Sequence, residues 1–236
     1  AIYTSDPIKI METMGRDTGW ITASTALAKE KENDAPHLIY LPERPFKQEN
    51  FLEDVKRIYK RLGRVVIAVC EGLKDDDGEY LVASKSKIDV DGFKHAQLGG
   101  VADYLCRLIA KELNIKARFD KPGTIQRTSM ACASRIDLEE AYMAGRDAVK
   151  YAMEGKSGYM GALIRDKEYR CRTGLVNLEE VANRVREVPR NFINKEGNFV
   201  TEEFIKYAKP LIGPLPDYVR LKKALMERVL DPFPGH

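Results

Sequence analysis

The chain has 236 residues, and its 39 Lys and Arg residues against 36 Asp and Glu residues leave a formal net charge of +3. This near balance excludes a dominant basic field for nucleic-acid binding and an acidic solvating tail. Hydrophobic residues make up 44% of the chain, which is enough for the core of one large or two small domains. The longest apolar runs, such as residues 65–70, are far shorter than the roughly 18 residues of a membrane span. We therefore expect no transmembrane helix and no membrane partner.

Cysteine and histidine usage points away from metal and redox chemistry. The four cysteines have neither zinc nor redox spacing and are too sparse for a disulfide scaffold: Cys70, Cys106, Cys132 and Cys171. A reducing, cytoplasmic location is expected. The three histidines are scattered, which disfavours a His-based triad or a two-His metal site: His37, His95 and His236. The first residues lack an initiator Met and the features of a signal peptide, so we expect the chain to begin partway through a longer protein.

The first part of the chain alternates short apolar strands with amphipathic helices. The predicted strands are residues 8–12, 37–41 and 65–69, and the predicted helices are residues 20–29 and 51–62. Gly63 is expected to end the second helix, as glycine commonly does. The run at 65–69 is continuously apolar, which is typical of a buried parallel strand.

The later part begins with a polar loop and then continues the alternation. It is predicted to contain a loop at 74–92, helices at 101–113 and 139–152, strands at 115–119 and 159–164, and further helices at 178–185, 202–207 and 218–229. Residues 134–137 supply candidate caps for the helix at 139–152.

This order of elements predicts an α/β fold with a Rossmann-like open parallel sheet flanked by helices. Ligands of such sheets bind beyond the carboxyl ends of the strands. Four segments follow predicted strands, namely residues 14–16, 42–43, 71–72 and 122–127. If these segments converge, one crevice brings together three cations and two carboxylates: Arg16, Arg118, Arg127, Glu43 and Glu71.

Such a crevice suits a phosphorylated sugar. Arginine forks and helix N-termini bind phosphate oxygens, and a carboxylate accepts hydrogen bonds from hydroxyl groups. Each residue also has a structural interpretation. Arg16 fits a surface position at a helix start, and Glu43 fits a loop. Arg118 and Arg127 fit structural or solvated positions on a loop, and for Glu71, which follows a buried strand, a functional and a structural role are equally favoured.

Other chemistry-bearing motifs are missing from the sequence. No Gly-x-Gly-x-x-Gly and no Walker-type Gly-x-x-x-x-Gly-Lys occurs, so no nucleotide cradle is indicated. Residues 75–78 read Asp-Asp-Asp-Gly, but they lack the twelve-residue spacing of a calcium loop and predict a turn. The sequence assigns no metal ligands.

Residues 14–21, Met-Gly-Arg-Asp-Thr-Gly-Trp-Ile, resemble the Met-Gly-Arg signature of the 6-phosphofructokinase family. The likeness covers about residues 8–213. It continues in order through Leu-Pro-Glu at 41–43, Cys-Glu-Gly at 70–72, Gly-Thr-Ile-Gln-Arg at 123–127, Ala-Ser-Arg-Ile-Asp at 133–137, Glu-Ala-Tyr at 140–142, Gly-Arg-Asp-Ala-Val at 145–149 and Gly-Lys-Ser-Gly at 155–158.

The resemblance implies a set of sugar-phosphate-binding residues: Met14, Gly15, Arg16, Glu71, Arg118, Thr124 and Arg127. By this likeness, residues 14–16 hold fructose 6-phosphate, Glu71 accepts sugar hydroxyls, and Arg127 binds the 6-phosphate. Arg118 matches an arginine that reaches the sugar phosphate of a neighbouring subunit, which implies a homodimer or homotetramer. Thr124 stands where other members have histidine or tyrosine, so its sugar contact is expected to be weaker or different.

Two further matches refine the expected function. Glu43 matches a strand end of the family rather than a ligand contact, so it remains only a low-weight candidate for the site. Pro7 stands where bacterial ATP-dependent members have a second arginine that reaches across the subunit boundary. The sequence of residues 122–127 is most like that of the pyrophosphate-dependent branch. The resemblance therefore implies transfer of a phosphoryl group from pyrophosphate, or from ATP, to the 1-hydroxyl of fructose 6-phosphate. The product is fructose 1,6-bisphosphate, and the reaction is a step of glycolysis that uses Mg²⁺.

The family's Gly-rich donor loop and its Thr-Ile-Asp segment, whose aspartate is the general base, do not occur in these 236 residues. No catalytic residue is therefore assigned, and we expect a C-terminal portion that lacks the N-terminal donor half and is inactive alone. The expected division is a fructose 6-phosphate-binding domain at 1–125, a segment at 126–175 that returns to the donor domain without its sheet partners, and a helical part at 176–236 that packs on the first domain.

Two alternatives remain beside this interpretation. A non-catalytic sugar-phosphate-binding regulatory module or pseudoenzyme would keep the acceptor crevice without the donor half. A generic α/β ligand-binding domain is disfavoured by the ordered series of motifs.

Overall fold

The computed structural model describes residues 6–82, 100–166 and 169–215. Four strands form the main sheet: β1 (Ile8–Thr13), β2 (Leu38–Tyr40), β3 (Val65–Cys70) and β4 (Ala117–Asp120). All of them are parallel, in the order β2-β3-β1-β4. The predicted α/β fold with an open parallel sheet is therefore confirmed.

The helices and remaining strands follow the predicted order closely. They are α1 (Trp20–Ser24), α2 (Gln48–Leu62), α3 (Val101–Leu113), α4 (Ile125–Thr128), α5 (Arg135–Met153), β5 (Tyr159–Arg165), β6 (Cys171–Asn177), α6 (Leu178–Val181) and α7 (Glu202–Ile212). Gly63 ends α2 in the left-handed conformation at φ 67°, and the Ser134 side chain caps α5 by accepting from the Asp137 amide.

The main sheet lies between two layers of helices. On one face, buried side chains of α2 and α3, such as Phe51 and Leu105, pack against strand residues such as Ile10 and Ile67. On the other face, Phe204 of α7 packs with residues of α1, β2 and β3. The apolar run of β3 is thus explained by burial on both faces. In β1, the buried Ile8 and Ile10 alternate with the more exposed Lys9 and Met11, which explains its alternation.

A separate, smaller part of the fold differs from the prediction; it consists of α5, β5 and β6, and we call it the second layer. The predicted strand at 159–164 was expected to have no sheet partner, but β5 pairs antiparallel with β6 in a two-stranded sheet. The sequence of β6, Cys-Arg-Thr-Gly-Leu-Val-Asn, has no clear apolar alternation and was not predicted as a strand. The predicted helix at 178–185 ends at Val181. Residues 83–92 of the polar loop and the predicted helix at 218–229 lie outside the described residues.

The surface of this second layer is unusually apolar for a folded chain. No residue of α5, β5 or β6 is buried. A stripe of exposed apolar side chains runs along α5 at helical spacing: Leu138, Tyr142, Val149 and Met153. Two of them are 74% (Tyr142) and 85% (Met153) exposed. None of the described helices has the length and apolar character needed to cross a bilayer.

Glu12 is a buried carboxylate on β1 that holds three parts of the fold together. It is 1% exposed, and it accepts hydrogen bonds from the amides of Gly100 and Ala102 at 3.1 and 2.9 Å. Its third partner is the Lys121 ammonium, at 2.9 Å. A buried charge is tolerated only when it is paired and hydrogen-bonded, and Glu12 meets both conditions.

We expect Glu12→Gln to lower the free energy of unfolding by about 1 to 3 kcal/mol, because the neutral amide weakens charge-assisted hydrogen bonds in a buried place. Urea unfolding measures this change. The matched control is Glu53→Gln on the exposed face of α2, which we expect to shift the value by less than about 0.5 kcal/mol. Equal effects of the two variants would contradict the role of Glu12.

His37 is the buried titratable group at the start of β2. The Val66 amide donates to its Nδ1 at 2.8 Å, and its Nε2 lies 3.3 Å from the Asn33 carbonyl oxygen. Burial lowers the pKa of His37 below its ordinary value of 6.5, and Lys29 and Arg64 add to this effect. The folded state therefore favours the neutral ring, with the proton on Nε2.

A lowered folded pKa means that the unfolded chain binds the proton more readily, so stability is lost as the pH falls below about 6.5. We expect the free energy of unfolding of the natural chain to fall between about pH 8 and pH 5 by more than that of His37→Gln. Urea unfolding of both proteins across this range provides the test. A constant difference between them at all pH values would show that His37 does not titrate on unfolding.

Candidate functional site

The loop after β1 carries the first predicted site residues, and its shape depends on Gly15. The φ of Gly15 is 145°, and a Cβ atom there would lie 2.5 Å from the Thr18 carbonyl oxygen. Its amide donates to Glu71 Oε1 at 3.2 Å, and its carbonyl oxygen accepts from the Cys70 thiol at 2.6 Å. Burial raises the pKa of Cys70 to about 11, which keeps the thiol protonated as a donor.

The turn after β3 packs directly on the same loop. A Cβ atom at Gly72 would lie 1.6 Å from the Arg16 carbonyl oxygen, so only glycine permits this approach. Together with the hydrogen bond from Gly15 to Glu71, this contact fixes the backbone of Arg16 against the carboxyl end of β3. The prediction that these two segments meet is confirmed.

The segment after β4 reaches the same edge of the sheet. Gln126, on α4, accepts a hydrogen bond from the Met14 amide at 3.0 Å through its side-chain oxygen. Thr124 immediately precedes α4, and its carbonyl oxygen accepts from the Arg127 amide at 2.9 Å. The Thr124 side chain is exposed. Residues 124–127 are thereby brought beside Met14 and Gly15.

Two arginines at this edge have no protein counter-charge. Arg16 is half-buried and Arg127 is exposed. Within the ranges 6–82, 100–166 and 169–215, neither guanidinium makes a hydrogen bond or an ion pair. An arginine without a carboxylate partner keeps its planar donors available for an anion such as a phosphate group. The carboxyl edge therefore combines free cations with the Glu71 carboxylate.

Arg118 is not part of this cluster, and the predicted crevice with three arginines is wrong on this point. Arg118 pairs in register with Lys9, near the start of β1, and its Nε lies 2.7 Å from the carboxylate of Asp6. It therefore lies toward the amino end of the sheet. The cause is that Arg118 lies inside the short strand β4, whereas the other predicted residues follow their strands.

Glu43 also has a structural role rather than a place in the crevice. Its Oε1 accepts from the amides of Gly19 and Val188, both at 2.9 Å. The carboxylate thus joins the start of α1 to the segment before α7. The low weight given to Glu43 agrees with this arrangement.

Gln126 is a site residue that the sequence analysis missed as a contact. It belongs to the segment 123–127, whose sequence matches the family. Its contact with Met14 could not be predicted, because the two residues are 112 positions apart in the chain. No local pattern signals a contact over that separation.

Comparison with known proteins identifies the family. Residues 3–152 match the family model described as Phosphofructokinase. The chain belongs to the phosphofructokinase family. It is 38% identical over 224 residues to the pyrophosphate--fructose 6-phosphate 1-phosphotransferase of Rhodospirillum rubrum. The matched region covers 92% of this chain and 55% of that protein. The enzyme of the same name from Xanthomonas campestris pv. campestris is 35% identical over 98% of this chain and 58% of its own length.

Solved phosphofructokinase structures agree with this assignment. The pyrophosphate-dependent phosphofructokinase from Marinobacter aquaeolei superposes with a TM-score of 0.76 at 32% identity, over 97% of this chain and 56% of that one. The likeness to the pyrophosphate-dependent branch and the predicted fold are confirmed. The chain spans somewhat more than half the length of the phosphofructokinases it matches.

Phosphofructokinases typically use a divalent metal ion. Among the residues that the structure describes, no group of three or more His, Cys, Asp and Glu side chains is arranged to hold one. Magnesium requires several oxygen ligands. The carboxyl edge offers the Glu71 carboxylate beside two arginines, and the nearby Asp17 carboxylate is already held by Tyr80 and Lys74. The described part of this site does not fit a metal ion.

We expect Gly72→Ala to lower the free energy of unfolding by about 1 to 3 kcal/mol, because the added methyl group overlaps the Arg16 carbonyl oxygen and forces the two segments apart. Thermal or urea unfolding measures the effect. The control is Gly145→Ala in the interior of α5, where nothing lies within 4 Å of the new Cβ and where alanine favours the helix. A Gly72→Ala protein as stable as the natural chain would contradict the close packing of the two segments.

Proposed function

We propose that this chain forms the fructose 6-phosphate-binding half of a pyrophosphate-dependent 6-phosphofructokinase, which phosphorylates the 1-hydroxyl to give fructose 1,6-bisphosphate. The observation that carries the proposal is a pair of arginines, Arg16 and Arg127, that have no ion pair among the described residues. They lie on segments held together by the hydrogen bonds from Gly15 to Glu71 and from Met14 to Gln126. Membership of the phosphofructokinase family supports the sugar phosphate as the anion.

Each group at the edge has a distinct task in this proposal. Arg127 binds the 6-phosphate, while Arg16 and the backbone of residues 14–15 hold the sugar. Glu71 uses Oε1 to accept the Gly15 amide, so its second oxygen remains for a sugar hydroxyl. The hydroxyl of Thr124 supplies a further, weaker polar contact. Phosphoryl transfer depends mainly on positioning and charge neutralisation, and these residues would provide the positioning of the acceptor.

The donor side of the reaction would come from the part of the relatives that this chain does not match. We assign to that part the general base, the pyrophosphate site and the ligands of Mg²⁺, because the described residues hold no metal-ligand group. Pyrophosphate is preferred over ATP, since the relatives in Rhodospirillum and Xanthomonas are named for it.

The second layer supports this division. The exposed apolar stripe of α5, in a unit with no buried residue, fits a segment at 126–175 that packs against the donor half. Residues 1–125 would form the sugar domain, and residues 176–236 would pack on it. This packing would bury apolar surface that no described residue covers.

Arg118 would act across a subunit boundary. It lies on the edge strand β4, and its side chain is 58% exposed despite its ion pair with Asp6. A homodimer or homotetramer would bring it to the sugar phosphate of the neighbouring copy. The reaction itself would be the glycolytic phosphorylation of fructose 6-phosphate in the cytoplasm.

We expect Arg127→Ala to weaken fructose 6-phosphate binding by about tenfold to a hundredfold, since a charge-assisted hydrogen bond contributes about 1.5 to 3 kcal/mol. Calorimetric titration of the chain with fructose 6-phosphate gives the Kd. The control is Arg172→Ala, an exposed arginine of β6 on the second layer, which we expect to leave the Kd unchanged. An unaltered Kd in Arg127→Ala would refute the assignment.

Activity is assayed on the assembled enzyme, this chain together with the donor half, with Mg²⁺ and fructose 6-phosphate and with either pyrophosphate or ATP as donor. Fructose 1,6-bisphosphate formed from pyrophosphate supports the proposal in full, and product formed only from ATP would overturn the choice of donor. Binding without turnover with either donor would support the alternative, a non-catalytic sugar-phosphate-binding module.

A further inference from the structure

A short hairpin after β3 lies against the loop that carries Arg16. We call residues 73–81 the clamp hairpin. Lys74 and Tyr80 face each other in an antiparallel bridge, the Leu81 amide donates to the Leu73 carbonyl oxygen at 3.0 Å, and the Asp75 amide donates to the Glu79 carbonyl oxygen at 2.9 Å. The hairpin follows directly on Glu71 and Gly72 of the candidate site.

The clamp hairpin has its own internal support. The Asp75 carboxylate accepts from the amides of Asp77 and Glu79, both at 3.0 Å, and Gly78 takes the positive φ of 79° that the turn requires. The predicted turn at 75–78 is thereby confirmed. Leu73 is completely buried, and the Lys74 carbonyl oxygen accepts from the Phe46 amide at 2.8 Å. The hairpin is therefore anchored in the core independently of the Arg16 loop.

Two side chains of the clamp hairpin hold Asp17, the residue after Arg16. The Tyr80 hydroxyl donates to Asp17 Oδ1 at 2.7 Å, and the Lys74 ammonium lies 3.5 Å from the same oxygen. The ammonium also lies 4.9 Å from the centre of the Tyr80 ring. Burial and the contact with Asp17 raise the pKa of Tyr80 to about 12, so the phenol stays protonated as a donor.

The turn that carries Arg16 is thus held on both sides. Before Arg16, the Gly15 amide is bound by Glu71, and after it, the Asp17 carboxylate is bound by Tyr80 and Lys74. The hairpin has bonds of its own, whereas the hydrogen bonds that hold residues 14–17 all go to other segments of the chain. The loop therefore depends on its neighbours for its order, and on the clamp hairpin for the part after Arg16. A binding group that is ordered in advance loses less conformational entropy when the ligand binds.

We propose that Tyr80 and Lys74 are positioning residues, which fix Asp17 and thereby set the affinity of Arg16 for the sugar phosphate. The inference rests on the proposed function, because it assumes that Arg16 binds the ligand of this edge. It assigns no contact with the ligand to Tyr80 or Lys74 themselves.

The first test needs no ligand. Tyr80→Phe removes one hydroxyl and keeps the ring, and hydrogen–deuterium exchange reports the order of the peptide at 14–19. We expect faster exchange of this peptide in Tyr80→Phe. The matched control is Tyr104→Phe, which removes a hydroxyl that accepts from Gln48 Nε2 at 2.6 Å at the start of α2 and does not bond Asp17. We expect no change in the exchange of the peptide at 14–19 in this variant. Unchanged exchange in Tyr80→Phe would overturn the proposal.

The second test links the order of the loop to affinity. In calorimetric titrations with fructose 6-phosphate, we expect Tyr80→Phe to raise the Kd by about threefold to tenfold and Tyr104→Phe to leave it unchanged. In an Arg16→Ala background, Tyr80→Phe should have little further effect, because its influence passes through Arg16. Equal effects with and without Arg16 would overturn positioning through that residue.

The two proposals fail in different ways. If Arg127→Ala weakens binding and Tyr80→Phe does not, the clamp is refuted while the proposed function stands. If the natural chain does not bind fructose 6-phosphate, the proposed function fails and the effect of the clamp on affinity fails with it.

Discussion

The buried carboxylate of Glu12 is the interaction on which the arrangement of the carboxyl edge depends. It joins the end of β1 to the start of α3 through two amides and to Lys121 through an ion pair. Lys121 lies between β4 and α4. The segment that presents Thr124, Gln126 and Arg127 is therefore fixed at its base by Lys121 and at its far end by the bond between Gln126 and Met14. A charge that must be satisfied inside the protein thus determines where a surface helix lies.

The candidate site is built from backbone contacts that leave charged side chains free. The loop after β1 is held by Glu71, Cys70 and Tyr80, while the guanidinium groups of Arg16 and Arg127 make no bond to any part of the chain that the structure describes. Free cations are tolerated at a solvent-exposed edge because water screens them. The same edge attracts anions, and its remaining carboxylate oxygen suits a hydroxyl group. These features support the proposal that the ligand of this edge is a phosphorylated sugar.

The sequence predicted the main sheet well because strands buried on both faces have strong apolar patterns. β3 is an example, with its run of Val, Ile and Ala. β6 was not predicted because it is half-exposed and contains Gly174. Since neither face of β6 is fully buried, its sequence lacks the apolar pattern that marks a strand. At the site, residues that directly follow a strand were placed correctly, as with Glu71, whereas Arg118 lies within its strand. The contacts of Gln126 and Tyr80 cross 112 and 63 residues, and only the folded chain brings such partners together.

The apolar stripe on α5, which none of the described residues covers, has a consequence for the behaviour of the chain in solution. A net charge of +3 on 236 residues gives weak electrostatic repulsion between molecules. Tyr142 and Met153 present apolar surface to solvent. When these faces of two copies meet, the apolar surface leaves water and the free energy of the system falls. We therefore expect this face to limit the solubility of the isolated chain. Self-association through α5 would be unrelated to any assembly formed at the edge strand β4, and the two contacts would respond oppositely to salt, because added salt strengthens apolar association and screens the charges of Arg118.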